Sequence, residues 1–197
     1  SASGASVGVF DTITFALSGG GVQTTNVGST GLGALPTVTD PVLINGYSQT
    51  GASLNTLATG NNAVLRIELN GTSAGPAANG LLITAGGSTV RGLVINRFGN
   101  DGIRLEPGLA TGSGGGNLIE GNFIGTNAAG AADLGNGDDG VDIPGTSNNT
   151  IGGPTPAARN LISGNGTTGD SEGVYLFGGN STGNRIQNNY IGTNAAG

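Results

Sequence analysis

The fourteen residues NLIEGNFIGTNAAG at positions 117–130 return at positions 184–197 as NRIQNNYIGTNAAG, sixty-seven residues later. Ten of the fourteen positions are identical, and the four replacements (Leu118/Arg185, Glu120/Gln187, Gly121/Asn188, Phe123/Tyr190) leave Ile119/Ile186 and Ile124/Ile191 untouched. A chain that copies itself at this interval folds by stacking like units, so the repeat has to be read before any motif.

Weaker copies fill the interval. Val90, Ile119, Ile151 and Ile186 align as one apolar column, with steps of 29, 32 and 35 residues. Ile95, Ile124, Ile162 and Ile191 give a second recurring inward position, and a third set follows a glycine: Leu81/Ile83 after Gly80, Ile103/Leu105 after Gly102, Val141/Ile143 after Gly140, Val174/Leu176 after Gly173. The residue between the paired hydrophobes is Leu82, Arg104, Asp142 or Tyr175, which reads as a position facing out. Alternation with period two marks a strand with one buried face, and helical spacing is absent. Short strands at a repeat near thirty residues fit a β-solenoid of about seven coils, with like residues stacked roughly 4.8 Å apart. Ile and Val then recur in the core, while Asn and Gly recur at corners, where Asn tolerates left-handed backbone and its amide bonds to the amide of the next coil.

Composition narrows the function classes. Charged residues are 9% of the chain, net charge is −6, and 42 of 197 residues are glycine. Such a chain lacks the high net charge that keeps a polymer solvated, and the columns supply a core, so the reading is order. Lysine, histidine, cysteine, methionine and tryptophan are absent. Disulfides and thiolate metal sites are therefore excluded. The six arginines (66, 91, 97, 104, 159 and 185) are scattered and make no continuous basic surface for a phosphate backbone, which argues against nucleic acid as partner. No apolar run approaches the length of a membrane span.

The chain reads as one domain, 1–197, divided into irregular coils over 1–79 and regular repeats over 80–197. Alternation from Val9 through Asp11 and Ile13 to Phe15 gives the first inward strand, and residues 1–8 start irregularly or cover the first coil. Residues 47–62, rich in Gly, Ser, Asn and Thr, read as a loop protruding from the solenoid with Tyr47 as its anchor. In the run from Ala63 to Asn70, the register with Ala63, Leu65, Ile67 and Leu69 inward wins on hydrophobicity. The sequence stops at Gly197, where the earlier copy runs on from Gly130 into Ala131, and this predicts a segment of a longer array.

The string from Phe10 to Phe15, the segment from Leu35 to Gln49, Val90 to Asn96, and the NxIxxNxIGT repeats resemble bacterial extracellular right-handed parallel β-helix repeats of the broad pectate-lyase-like group. The resemblance implies three parallel sheets, right-handed coiling and a place in large secreted or surface proteins. It does not imply catalysis, since fold alone does not decide function.

Asp138 and Asp139 are the strongest enzymatic pair, because two carboxylates can act as general acid and base across a glycosidic bond. They look like the paired aspartates of β-helical polygalacturonases, but the histidine of that pattern is missing. The lysine of its Arg-Ile-Lys segment is replaced by Gln187 after Arg185-Ile186. Calcium is a minor reading, with Asp133, Asp138, Asp139 and Asp142 as oxygen ligands from one loop. The bland reading of these acids is a solvated turn. Tyr175, Phe177 and Tyr190 are candidates for an outward sugar-stacking patch. The reading that results is a secreted structural β-helix without cofactor, a rigid spacer or fibre-forming module. It associates end to end through Val9, Ile13 and Phe15 at one end and Tyr190 and Ile191 at the other, with a polysaccharide-degrading enzyme or a carbohydrate-binding adhesin as alternatives.

Overall fold

The computed structural model describes residues 11–109, 114–166, 169 and 171–197, so the expectations for Val9 and for residues 1–8 fall outside the described residues. Three sheets account for the strands. The first holds Asp11–Thr14, Val42–Asn45, Thr89–Arg91, Leu118–Glu120, Thr150–Gly152 and Arg185–Gln187. In the second lie Gln23–Asn26, Ile67–Asn70, Leu93–Asn96, Phe123–Ile124, Leu161–Ile162 and Tyr190–Ile191. The third contains Leu81–Ile83, Ile103–Leu105, Val141–Pro144 and Val174–Phe177. Every strand pairing within them is parallel, and from Leu81 onward the chain visits the third, first and second sheets in turn before returning. This is a parallel β-helix. Among the described residues helical structure is confined to two single 3₁₀ turns, Gly46–Ser48 and Pro156–Ala158, and neither of them is long and apolar enough to cross a membrane.

Register turns the sequence columns into physical ones. In the first sheet Ile13 stacks on Ile44, Ile44 on Val90, Val90 on Ile119, Ile119 on Ile151 and Ile151 on Ile186. Leu69, Ile95, Ile124, Ile162 and Ile191 stack likewise in the second, and Leu81, Ile103, Val141 and Val174 in the third. Together with Ile83, Leu105 and Ile143, the middle members form one continuous buried core. Each fully buried aliphatic side chain there contributes about 1.5–3 kcal/mol by transfer from water.

The outermost rungs depart from the inward expectation. Ile186 is 45% exposed, Ile191 43% and Ile13 47%, and Val174 and Leu176 are only partly buried. Their side chains still lie in the inward columns. Among the described residues they have a neighbouring strand on one side only, so the register holds and the burial does not.

Asparagine ladders close the corners. Asn117 Oδ1 accepts from the Ser88 N–H at 2.8 Å, Asn149 Oδ1 from the Asn117 N–H at 3.0 Å, and Asn184 Oδ1 from the Asn149 N–H at 2.8 Å. Asn122, Asn160 and Asn189 repeat the pattern below Leu93, and Asn136 and Asn165 below Phe98. Above the last rung the amide nitrogen also donates down the column, as Asn122 Nδ2 does to Asn160 Oδ1 at 3.2 Å, so these amides serve both neighbours. The repeat substitution Gly121/Asn188 is explained by the backbone: both positions are left-handed, φ 62° and 58°, a region that Gly and Asn enter most readily.

Residues 47–62 do not protrude. They lie along the outer face of the second sheet, whose outward column of Val94, Phe123, Leu161 and Tyr190 is apolar and needs cover. The Tyr47 hydroxyl donates to the Gly121 carbonyl at 2.7 Å, Asn55 Nδ2 donates to the Pro156 carbonyl at 3.0 Å, and the Asn61 N–H donates to the Ala195 carbonyl at 2.7 Å. Arg159, 4% exposed, fastens the segment. Its guanidinium donates to the carbonyls of Leu57, Ala58 and Gly60 and to two oxygens of Asn188, and sits 4.6 Å from the Tyr190 ring centroid. Tyr190 is thereby committed to this strap, its hydroxyl accepting from the Gly60 N–H at 2.6 Å.

Candidate functional site on the third sheet

The third sheet carries the charged side chains that the asparagine corners lack. Its outward column reads Leu82, Arg104, Asp142 and Tyr175, each residue paired in register with the next. Such positions read from the sequence as freely variable surface, yet Asp142 is 3% exposed. Arg104 is held from three sides: Nη1 pairs with Asp142 Oδ2 and lies 3.2 Å from Asp101 Oδ2, and Nε donates to Glu106 Oε2 at 2.9 Å.

At the corner entering this sheet the ladder is acidic. Asn79 Oδ1 accepts from the Asp101 N–H at 3.1 Å, Asp101 Oδ1 from the Asp139 N–H at 3.2 Å, and Asp139 Oδ1 from the Glu172 N–H at 2.7 Å. Asp101 and Asp139 do what Asn does at the other corners, but a carboxylate has no N–H to pass down the column. Both are buried, at 1% and 4% exposure. One carboxylate oxygen from each of Asp101, Asp139 and Asp142 lies within 4.8 Å of the others.

Burial dominates the electrostatics. It raises the Asp139 carboxyl to about 7, against the Glu172 hydrogen bond and aided by the charges of Asp138, Asp101 and Asp142. The Asp142 carboxyl rises to about 6, again chiefly by burial, with Arg104 opposing. Asp101 is raised for the same reason and restrained by its bond to Arg104. Burial works to lower Arg104, but Glu106, Asp142 and Asp101 together push it up, so this guanidinium keeps its proton.

The four acids singled out from the sequence therefore separate. Asp139 and Asp142 meet in the cluster, whereas Asp133 is exposed in the loop after Thr126 with its Oδ1 accepting from the Gly135 N–H at 3.0 Å, and Asp138 contributes only its charge. Asp139 is buried rather than a solvated turn acid. Asp101, absent from the sequence-derived set, was legible: one residue upstream of each Gly-apolar-x-apolar unit stand Asn79, Asp101, Asp139 and Glu172. Beside the acids, Tyr175 and Phe177 stack at 5.1 Å with planes 24° apart and remain 40% and 45% exposed. Tyr190 lies on another sheet and does not join them.

Residues 12–137 match a family described as "Protein of unknown function (DUF1565)". No curated protein and no solved structure matches the chain.

Proposed function

The chain belongs to the DUF1565 family, and from that premise we propose that it is a structural module: a right-handed β-helix of about seven coils, secreted, serving as a rigid spacer or fibre-forming subunit of a cell-surface or extracellular matrix assembly. The observation that carries this reading is the set of three asparagine ladders, which spend buried side chains on coil-to-coil hydrogen bonds. Stacking of coils end to end, on a second copy or on further chain, is supported by Ile13, Ile186 and Ile191, which leave the inward columns open at the outer rungs. Catalysis draws little support. A lyase would need an arginine or lysine that gives up its proton, and Arg104 is tied to three carboxylates; a hydrolase would need Asp138 beside Asp139 at a bond, and only Asp139 enters the cluster.

A second reading, glycan binding by the same rod, is favoured by the exposed Tyr175–Phe177 platform, since flat aromatic faces cover sugar rings at low entropic cost. Electron microscopy of concentrated protein tests the first reading. Filaments or aligned rods are expected, and no new reducing ends or unsaturated products should form on polyuronides or neutral glycans. Globular monomers at every concentration, or cleavage lost on replacing Asp138 and Asp139 by Asn, would overturn it. Retention on a polysaccharide column that disappears in Tyr175→Ala/Phe177→Ala establishes the second.

A further inference from the structure

We infer that Asp101, Asp139 and Asp142 hold a divalent, oxygen-preferring cation such as Ca²⁺ at the edge of the third sheet. The inference is independent of whether the rod is a spacer or a glycan binder.

Spacing is the first ground. Oxygens that share one Ca²⁺ at about 2.3–2.6 Å lie at most about 4.6–5.2 Å apart. The three carboxylates offer oxygens within 4.8 Å of one another, a separation that one shared Ca²⁺ can span. Water and main-chain oxygen fill the remaining positions of a six- to eight-coordinate ion.

The second ground is independent of the clustering. Asp142 Oδ1 is buried and has no hydrogen-bond partner among the described residues, while its Oδ2 is used by Arg104. Its side chain is 4% exposed. Buried polar atoms are nearly always partnered, and an ionised oxygen left bare is the costliest exception.

Charge and residue choice point the same way. The groups facing this corner are Asp101, Asp138, Asp139 and Asp142 against one guanidinium, Arg104, which also serves Glu106. Nor does the fold require acids here. Accepting the N–H of the preceding coil is done by Asn at 117, 122, 136, 149 and 160, and Asn would add a donor for the rung beyond. Asp on two successive rungs forfeits that donor, which is explicable when a cation supplies the missing positive charge.

The test uses the full chain, freed of metal with a chelator and studied at about pH 8, where carboxylates are ionised. Ca²⁺ is expected to raise the melting temperature saturably, because an ion that binds the folded chain stabilises it by mass action. Tb³⁺ is expected to give tyrosine-sensitised emission that Ca²⁺ quenches by competition. Asp142→Asn should lose both responses; Asp139→Asn replaces it if that variant does not fold. Asp133→Asn, outside the cluster, should keep both. Tyr175→Phe should dim the emission yet keep the Ca²⁺-dependent melting shift, since Tyr175 is the register partner of Asp142. No shift and no emission in the folded wild type overturns the inference. So do responses that survive in folded Asp142→Asn or vanish in Asp133→Asn.

Discussion

Replacing Asn122 by Ala tests whether the corner amides hold the coils together or merely occupy them. Asn122 is fully buried; its Oδ1 accepts from the Leu93 N–H at 3.0 Å, and its Nδ2 donates to the Val90 carbonyl at 3.0 Å and to Asn160 Oδ1 at 3.2 Å. Truncation spares Asn160 Oδ1, which still receives the Asn122 main-chain N–H at 2.9 Å. Leu93 N–H loses its acceptor in a buried site, at about 1–3 kcal/mol for an unsatisfied group, whereas Val90 C=O, still in the parallel ladder with Leu118–Glu120, loses one bond worth about 1 kcal/mol. The sum is about 2–4 kcal/mol, and we expect about 3 kcal/mol. Asn189→Ala is the control on the same ladder. Its side chain bonds to Asn160 and to the Ile151 carbonyl, but it is only half-buried, so water replaces what is lost and the cost should be about 1 kcal/mol. Urea unfolding measures both, as midpoint shifts at unchanged slope. An Asn122→Ala loss no larger than that of Asn189→Ala would show that the ladder is incidental to stability.

Two further outcomes follow from the columns and the acids. Ile124→Ala, at a fully buried position, should cost about 2–5 kcal/mol by lost transfer energy and the cavity left behind, whereas Ile191→Ala, on an outer rung at 43% exposure, should cost less than half as much; equal losses by urea titration refute the stacking register. In chelator, stability should fall as pH rises. Asp139 at about 7 and Asp142 at about 6 lie above the ordinary 3.8, so the folded chain binds more protons in between, and the stability present near the ordinary value is lost as pH climbs through the raised ones. Melting temperatures across that range check it, with Asp139→Asn expected to flatten the decline; a wild-type profile that rises with pH contradicts it.

The stacked core was readable because period-two alternation at a near-constant interval leaves one arrangement in which Val90, Ile119, Ile151 and Ile186 can all be buried. What escaped had no periodic signal. Residues 47–62 look like solvated loop because they are small and polar; their docking is decided by Arg159, about a hundred residues away, which bonds to main-chain carbonyls that any sequence would present. The outward column of the second sheet was misleading for the related reason that Val94 and Leu161 face away from the core and are still fully buried, in a second apolar cluster with Leu65 and Phe123 that Tyr47, Ala63, Ala128 and Ala195 border. Of the candidate site, Asp139 and Asp142 were visible as acids but not as buried ones, since burial there depends on how neighbouring coils close over them. Asp101 stood in the same alignment column as Asp139, one step beyond where the hydrophobic pattern stops.

The strap changes how such a rod comes apart. A solenoid whose coils touch only their neighbours can fray one turn at a time from an open edge, like a zip. Here the segment leaving the second rung of the first sheet is tied to Pro156, Arg159, Tyr190 and Ala195, several turns further on. Under tension the late turns cannot peel without tearing this lateral seam, and the seam cannot be sewn until those turns exist, because contacts between residues about a hundred apart are the last to repay the entropy of closing the chain. The spanned length should accordingly yield to force as one block rather than as a staircase of single turns.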